Sequence, residues 1–362
     1  MSSPLPTLSR MDARHRLNPR TRETTSSRTP CFVIAEAGVN HNGDVGRALR
    51  MIDVAAGAGA DAVKFQTFRS GEIATATAPK CDYQTHGTDP QESQQDMLRQ
   101  LELSRQDHAL LAQHCQEVGI EFLSTAFDCQ SVGLLEELGV DRFKIPSGEL
   151  TNLPLVERVS RGGRTVLIST GMATLGDIEQ AVNVAETAGA KITVLHCVSA
   201  YPAPVEDVNL RSMVSMGTAF DLPFGYSDHT LGIQVAPAAV AMGARVIEKH
   251  FTLDRGLPGP DHAASLEPSE LTSMIKAIRE VEQAMGSARK RPTTSEAETA
   301  RVARRSLVVS HDLDEGDSIE ESSLVLRRPG TGLPPSMKDY LVGRPARRAI
   351  PAGTLIQFSD VA

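Results

Sequence analysis

The stretch Phe32–Phe68, FVIAEAGVNHNGDVGRALRMIDVAAGAGADAVKFQTF, decides the fold. Phe32–Val39 is an apolar, β-branched run interrupted only by Glu36 and reads as a buried strand. Val45–Ala58 is amphipathic and runs into Gly59, the residue that helix C-termini favour. Ala62–Phe68 is apolar again. Strand, helix and strand in that order are one βα unit of a parallel sheet and the start of the next.

The rhythm continues outward from this unit. Further strands are predicted over Glu121–Phe127, Arg142–Ser147, Thr165–Thr170, Lys191–Val198, Leu222–Ser227 and Arg245–Phe251. Helices are predicted over Gln106–Val118, Ser131–Leu138, Asp177–Ala188 and Ser269–Met285. Eight units in about 250 residues fit an α/β fold of the (β/α)8 TIM-barrel type. A doubly wound sheet is the alternative, but no GxGxxG follows any strand and the unit count suits closure. The barrel is expected over residues 31–286, a polar linker over 287–300, and a small β-rich domain over 301–362, where strand signals and turn glycines resume. Inside the second unit, Arg69–Ser104 is too long and too polar for a plain connection, and loops of that length are usually functional.

With 362 residues, 40% hydrophobic content and a net charge of -8, the chain has no basic footprint for nucleic acid and no apolar run long enough for a membrane span. Its expected partners are small molecules. The five cysteines are scattered without a CxxC pair, which reads as reduced thiols in a cytoplasmic protein. Cys197 follows His196 in one strand, so the two point to opposite faces, and packing is favoured over a Cys/His nucleophile. Residues 1–30 are Arg-rich without an apolar core, excluding a secretory signal. A disordered tail, or an early start with Met11 as the initiator, is the expectation.

Polar residues collect at the C-terminal ends of the predicted strands, where barrel enzymes keep their chemistry. Glu36 and Asn40–Gly43 end the first strand; Lys64 and Gln66, Thr125, and Lys144 with Ser147 end the next three. Ser169, Tyr201, Ser227 with His229, and Glu248 with His250 end the others. Residues two apart share a strand face, so Lys64/Gln66, Ser227/His229 and Glu248/His250 can each face one pocket. Lysine is costly to bury without a counter-charge, which makes Lys64 and Lys144 candidate clamps for a phosphate or carboxylate, against the alternative of two structural ion pairs. His229 and His250, on adjacent strands, suit manganese, zinc or iron with positions open for water and substrate.

The phrases IAEAGVNHNGD, VKFQTF, FLSTAFD, KIPSGE, ISTGMAT, YSDHT, VIEKHFTLD and GPDH, in that order, resemble the N-acetylneuraminate (sialic acid) synthases and their N,N'-diacetyllegionaminate relatives. The C-terminal DLDEGDSI and RRPGTG resemble the family's antifreeze-like (SAF) domain. The resemblance implies condensation of phosphoenolpyruvate with N-acetylmannosamine, or alternatively with 2,4-diacetamido-2,4,6-trideoxymannose. It implies a divalent metal, manganese first with magnesium or cobalt as alternatives, on His229 and His250. Lys64, Thr125, Lys144, Ser147, Ser169 and Ser227 would hold phosphoenolpyruvate. Gln66, Tyr201, Asp261 and Arg328 would contact the sugar, Arg328 in trans from the small domain of a domain-swapped homodimer. The metal would polarise the aldehyde, and Glu36 or the metal would activate water. Three positions depart from the family pattern: Ser199 stands where Asn is usual, Ala126 where Pro is usual and Thr331 where Asn is usual. A non-catalytic carbohydrate- or ice-binding protein is the rival of a different class, but the tail shows no flat Thr-rich face. Another phosphoenolpyruvate-using barrel with a sugar-phosphate acceptor would need a second basic pocket, and two lysines suffice for one anion.

Overall fold

The computed structural model describes residues 29–85 and 87–362, which form two units, one ending at Gly286 and the other Ser287–Ala362. The Arg-rich reading of residues 1–30 falls outside the described residues apart from Thr29 and Pro30.

In the first unit, eight parallel strands close into a barrel in sequence order: β1 (Phe32–Gly38), β2 (Ala62–Thr67), β3 (Glu121–Ala126), β4 (Arg142–Ile145), β5 (Thr165–Ser169), β6 (Lys191–Cys197), β7 (Phe224–Asp228) and β8 (Val246–His250). β8 pairs back onto β1, with His250 opposite Glu36. Several strands end a residue or two short of their predicted limits, and proline is the reason in two cases. β4 stops at Ile145 because Pro146 has no N–H for the ladder, and β7 starts at Phe224 because Pro223 precedes it. Predicted helices are found as Arg105–Val118, Cys129–Glu137, Leu175–Thr187 and Pro268–Met285, while Val45–Ala58 has the predicted bounds. Gly59 and Gly119 cap two of them in the left-handed conformation (φ 85° and 78°).

Alternation along the strands positions the site. Ile34, Ala62, Leu123, Leu167, Leu195 and Val246 fill the barrel interior as one buried apolar layer. Two residues further along each of those strands stand Glu36, Lys64, Thr125, Ser169, Cys197 and Glu248, all buried. Because the side-chain period of a strand is two, these form the next layer up, joined by Lys144 from β4 and Ser227 from β7. The outward faces pack against the helices in two clusters, around Met51, Phe65 and Met274 on one side and Phe143, Val156 and Ile168 on the other. No helix among the described residues is long and apolar enough to cross a membrane.

Arg69–Ser104 carries three short helices, Ser70–Ile73, Asp82–Thr85 and Gln94–Leu101. The last is capped by Ser93, whose hydroxyl accepts from Asp96 N.

The second unit holds an antiparallel pair, β9 (Ser306–Val309) and β10 (Leu324–Arg327), and a core of Leu307, Val309, Leu313, Ile319, Ile350 and Ile356. The stretch expected as a linker, 287–300, is partly helical. A turn at Thr294–Glu296 runs into the helix Ala297–Ala303. The reason is a capping box: Thr293 N donates to Glu296 Oε2 at 2.7 Å, and the Thr293 side chain returns a bond to the Glu296 backbone.

Candidate active site

The C-terminal end of the barrel opens into a cavity of about 310 Å³. Its floor is ionic. Lys64 Nζ lies 2.8 Å from Glu36 Oε2, 2.9 Å from Thr125 Oγ1 and 3.7 Å from Glu248 Oε2. Lys144 Nζ, from the opposite side of the barrel, lies 3.0 Å from Glu248 Oε1, which also accepts from Ser227 Oγ at 2.9 Å. Both candidate anion clamps are therefore carboxylate-paired, as the ion-pair alternative required. The pairing satisfies two buried cations that would otherwise be costly.

The four groups are not equivalent. Burial works against ionisation of Glu248, but Lys144 and Lys64 outweigh it and hold its carboxyl well below the usual range. Burial dominates at Glu36 and pushes its pKa up to about 7, against the pull of Lys64. Glu36 is thus the carboxylate that can gain or lose a proton near neutrality, while Glu248 stays charged as the fixed counter-ion of both lysines.

Above this floor the hydroxyls gather. Ser147 Oγ accepts from Gly171 N at 2.9 Å, and Ser169 Oγ is buried without a hydrogen-bond partner. A Cβ at Gly171 would lie 2.2 Å from Ser199 Oγ and 2.8 Å from Ser147 Oγ, so only glycine lets the backbone approach both.

His229 and His250 meet with ring centroids 5.5 Å apart. His229 Nδ1 lies 2.7 Å from Val198 O, which assigns a proton to Nδ1, and Nε2 lies 3.5 Å from Ser227 Oγ. His250 Nδ1 is buried without a hydrogen-bond partner, 3.9 Å from Asp261 Oδ2. Burial, and then the neighbouring His229, push the His250 pKa well below its ordinary value, so its imidazole is neutral. Burial raises Asp261 to about 6. A Cβ at Gly38 (φ 53°) would come within 3.5 Å of Glu36 Oε1, His250 Cε1 and Asp261 Oδ2, so this glycine leaves space between them. Among the described residues no cluster of three His, Cys, Asp or Glu side chains closes around one point. A neutral His250, the imidazole of His229, where burial is outweighed by Cys197 and the Val198 carbonyl and the pKa is raised, a nearby carboxylate and unfilled space suit a divalent cation that keeps positions open for water and substrate.

The remaining walls come from loops. Tyr201 stacks on His229 (centroids 4.1 Å), and Tyr83 stacks on Tyr201 (4.8 Å). Ile73, Met97, Leu98 and Leu101 from the Arg69–Ser104 segment, with Phe68 and Phe127, form an apolar wall opposite the ionic floor. Gln66 lines the same cavity; Arg328 is exposed in the second unit, directly after β10.

Twelve of the thirteen residues to which the resemblance assigns a role thus line one cavity, as does Glu248; Asn40–Gly43 do not, and Arg328 belongs to the other unit. Sequence reasoning missed Tyr83, Gly38 and Gly171. For the glycines a signal existed, since each follows a polar strand end by two residues. Cys197 faces inward with its Sγ 3.7 Å from His229 Nδ1, while His196 points outward to Val208 O. The opposite-face argument held for His196, and the contact came from another strand.

A closed parallel barrel with an ionic floor, a cradle of hydroxyls and an imidazole pair at its C-terminal end places its chemistry-bearing groups where barrel enzymes carry their active sites. The NeuB family profile matches residues 51–290 and the SAF domain profile residues 304–362. The N,N'-diacetyllegionaminic acid synthase of Legionella pneumophila is 44% identical over 91% of this chain and 94% of its own length. That of Campylobacter jejuni is 46% identical over 90% and 98%. A crystal structure of N-acetylneuraminic acid synthetase from Leptospira borgpetersenii superimposes with a TM-score of 0.66 at 37% identity, covering 75% of this chain and 90% of that one. The chain belongs to the NeuB family, carries a C-terminal SAF domain, and is an enzyme of the transferase type.

Proposed function

We propose that the chain condenses phosphoenolpyruvate with 2,4-diacetamido-2,4,6-trideoxymannose, releasing phosphate by C–O cleavage and forming N,N'-diacetyllegionaminic acid. The observation that carries the choice of acceptor is the apolar wall of Ile73, Met97, Leu98 and Leu101, which suits a methyl group better than a hydroxyl. The two legionaminic acid synthases, at 44% and 46% identity against 37% for the sialic acid synthetase structure, support the same order. N-acetylmannosamine, which the sequence reading ranked first, becomes the second acceptor.

In this reading phosphoenolpyruvate lies on the floor with its anionic groups on Lys64 and Lys144 and on the hydroxyls of Thr125, Ser147, Ser169 and Ser227. The acceptor lies above it, against Gln66, Tyr201 and Asp261. A divalent ion, manganese first and magnesium or cobalt as alternatives, would be held by His229 and His250 and would polarise the acceptor's carbonyl oxygen when bound. C3 of phosphoenolpyruvate attacks the carbonyl carbon, leaving positive charge at C2 that the floor carboxylates stabilise. Water adds at C2 and its proton passes to Glu36, whose raised pKa matches a base working near neutrality. Collapse of the adduct breaks the C2–O bond, its hydroxyl proton leaving with the phosphate that Lys64 and Lys144 stabilise, while the proton held by Glu36 passes to the alkoxide formed from the acceptor's carbonyl oxygen. Arg328 is assigned to the acceptor across a homodimer, and a chain that sediments only as a monomer at micromolar concentration would remove that assignment.

The test is kcat/KM for phosphate release on the two sugars with manganese present. Roughly tenfold or greater preference for the 6-deoxy sugar, the scale on which a hydrophobic pocket discriminates a methyl, supports the proposal. Preference for N-acetylmannosamine makes the enzyme a sialic acid synthase instead.

A further inference from the structure

Behind the two histidines stands an ion pair that the proposed chemistry does not use. Asp228 and Lys249 are register partners on β7 and β8, and their side chains are fully buried, 0% exposed, on the outer face of the barrel. Lys249 Nζ lies 2.9 Å from Asp228 Oδ2 and also donates to Thr230 O at 2.5 Å. Asp228 Oδ1 accepts from Thr230 N at 2.9 Å and from Thr230 Oγ1 at 2.7 Å. Two contacts from Lys249 therefore tie the turn Asp228–Thr230 to β8, and the two Asp228–Thr230 bonds hold the turn itself.

Strand periodicity gives this lock its meaning. Ser227 and Glu248 are paired in register and face inward, where they bond at 2.9 Å. Asp228 and Lys249 are the next pair and face outward; His229 and His250 follow and face the cavity. The outward ion pair thus fixes the separation and twist of the two backbones immediately before the two imidazoles. Stability alone gives little reason for it, because a buried ion pair is often replaceable by apolar residues of similar volume at no net cost. What such a pair supplies is geometry, and groups that orient metal ligands typically change affinity by roughly 10–100-fold when removed.

We infer that Asp228, Lys249 and Thr230 are positioning residues that set the His229–His250 spacing for a divalent cation. The inference rests on the assignment of those histidines as ligands.

The experiment uses the full chain and the double variant Asp228→Asn/Lys249→Met, which removes the pair without leaving a lone buried charge. Cobalt binding is followed by titration and by the visible absorption of the cobalt form, with thermal unfolding as the check on folding. The expected result is a folded protein whose cobalt dissociation constant rises at least tenfold, with a shifted absorption band and a lower kcat at saturating metal. An unchanged constant and band in the folded double variant would overturn the inference while leaving the ligand assignment standing. A wild-type chain that binds no cobalt would overturn both. If the double variant does not fold, Thr230→Val, which deletes one hydrogen bond at constant shape, decides. A two- to fivefold weaker constant supports the lock, and a wild-type constant refutes it.

Discussion

Lys144 Nζ, on β4, lies 3.0 Å from Glu248 Oε1, on β8, a contact made across the barrel axis. Glu248 also reaches Lys64 at 3.7 Å and Ser227 at 2.9 Å, so one carboxylate organises both cations of the floor. Removing Lys144 with Lys144→Met leaves Glu248 with Lys64 as its one neighbouring cation, beside the Ser227 hydroxyl. The expected result is kcat/KM for phosphoenolpyruvate lower by roughly 10²–10³-fold. Because one member of a buried pair is lost, stability should also fall by about 3 kcal/mol. Steady-state kinetics and denaturant unfolding read the two effects separately, and a wild-type KM for phosphoenolpyruvate would remove Lys144 from the anion site.

Glu36→Gln keeps the shape of the side chain and an acceptor for Lys64 while removing the ability to take a proton. Loss of a general base costs roughly 10²–10⁴-fold. We expect kcat to fall by about 10²-fold or more with phosphoenolpyruvate binding, measured by calorimetry, changed less than tenfold. A variant that turns over at the wild-type rate would transfer the role of base to another group.

His229→Ala and His250→Ala each delete one imidazole from the pair whose centroids stand 5.5 Å apart. The chain should fold in both cases, lose tight binding of manganese, and show no metal-dependent phosphate release above background. Chelator treatment of the wild type should abolish activity, and added manganese should restore it. Substantial metal-dependent turnover in either variant would contradict the ligand assignment.

Gly225, on β7, tests the barrel interior rather than the chemistry. A Cβ there would lie 2.3 Å from Val246 O and 2.7 Å from Leu195 Cδ2, and the backbone oxygen cannot move aside. Overpacking a closed core costs typically 1–3 kcal/mol, so Gly225→Ala is expected to lower stability by about 3 kcal/mol. Thermal or urea unfolding of the variant checks this, and unaltered stability would mean that the interior layer is looser than its contacts indicate.

The barrel was legible in the sequence because each strand carries its own period-two code. Apolar Ile34, Ala62, Leu123, Leu167, Leu195 and Val246 are each followed two residues later by a polar or ionisable residue, or by Cys197. That code announces which face each residue takes, and it brought Glu36, Lys64, Lys144, His229 and His250 to one end. It does not say which residue meets which across the axis. Hence the role of Glu248 as shared counter-ion, and the approach of Cys197 to His229, emerged only with the closed barrel. The Arg69–Ser104 segment was legible as functional by length, but irregular chain has no period to read. Tyr83 and the apolar wall of Met97 and Leu98 therefore went unseen. In 287–300, composition pointed to a linker where the Thr293/Glu296 box starts a helical turn, because a local cap outweighs the polarity of the stretch.

The most direct test of the account supplies phosphoenolpyruvate with heavy oxygen at the bridge between C2 and phosphorus, together with the 6-deoxy diacetamido sugar and manganese. Mass spectrometry then reads where the label goes. The account predicts a nine-carbon acid and released phosphate that carries the heavy oxygen, because the C2–O bond breaks. Label retained in the sugar acid, or no phosphate released with either sugar, would contradict it.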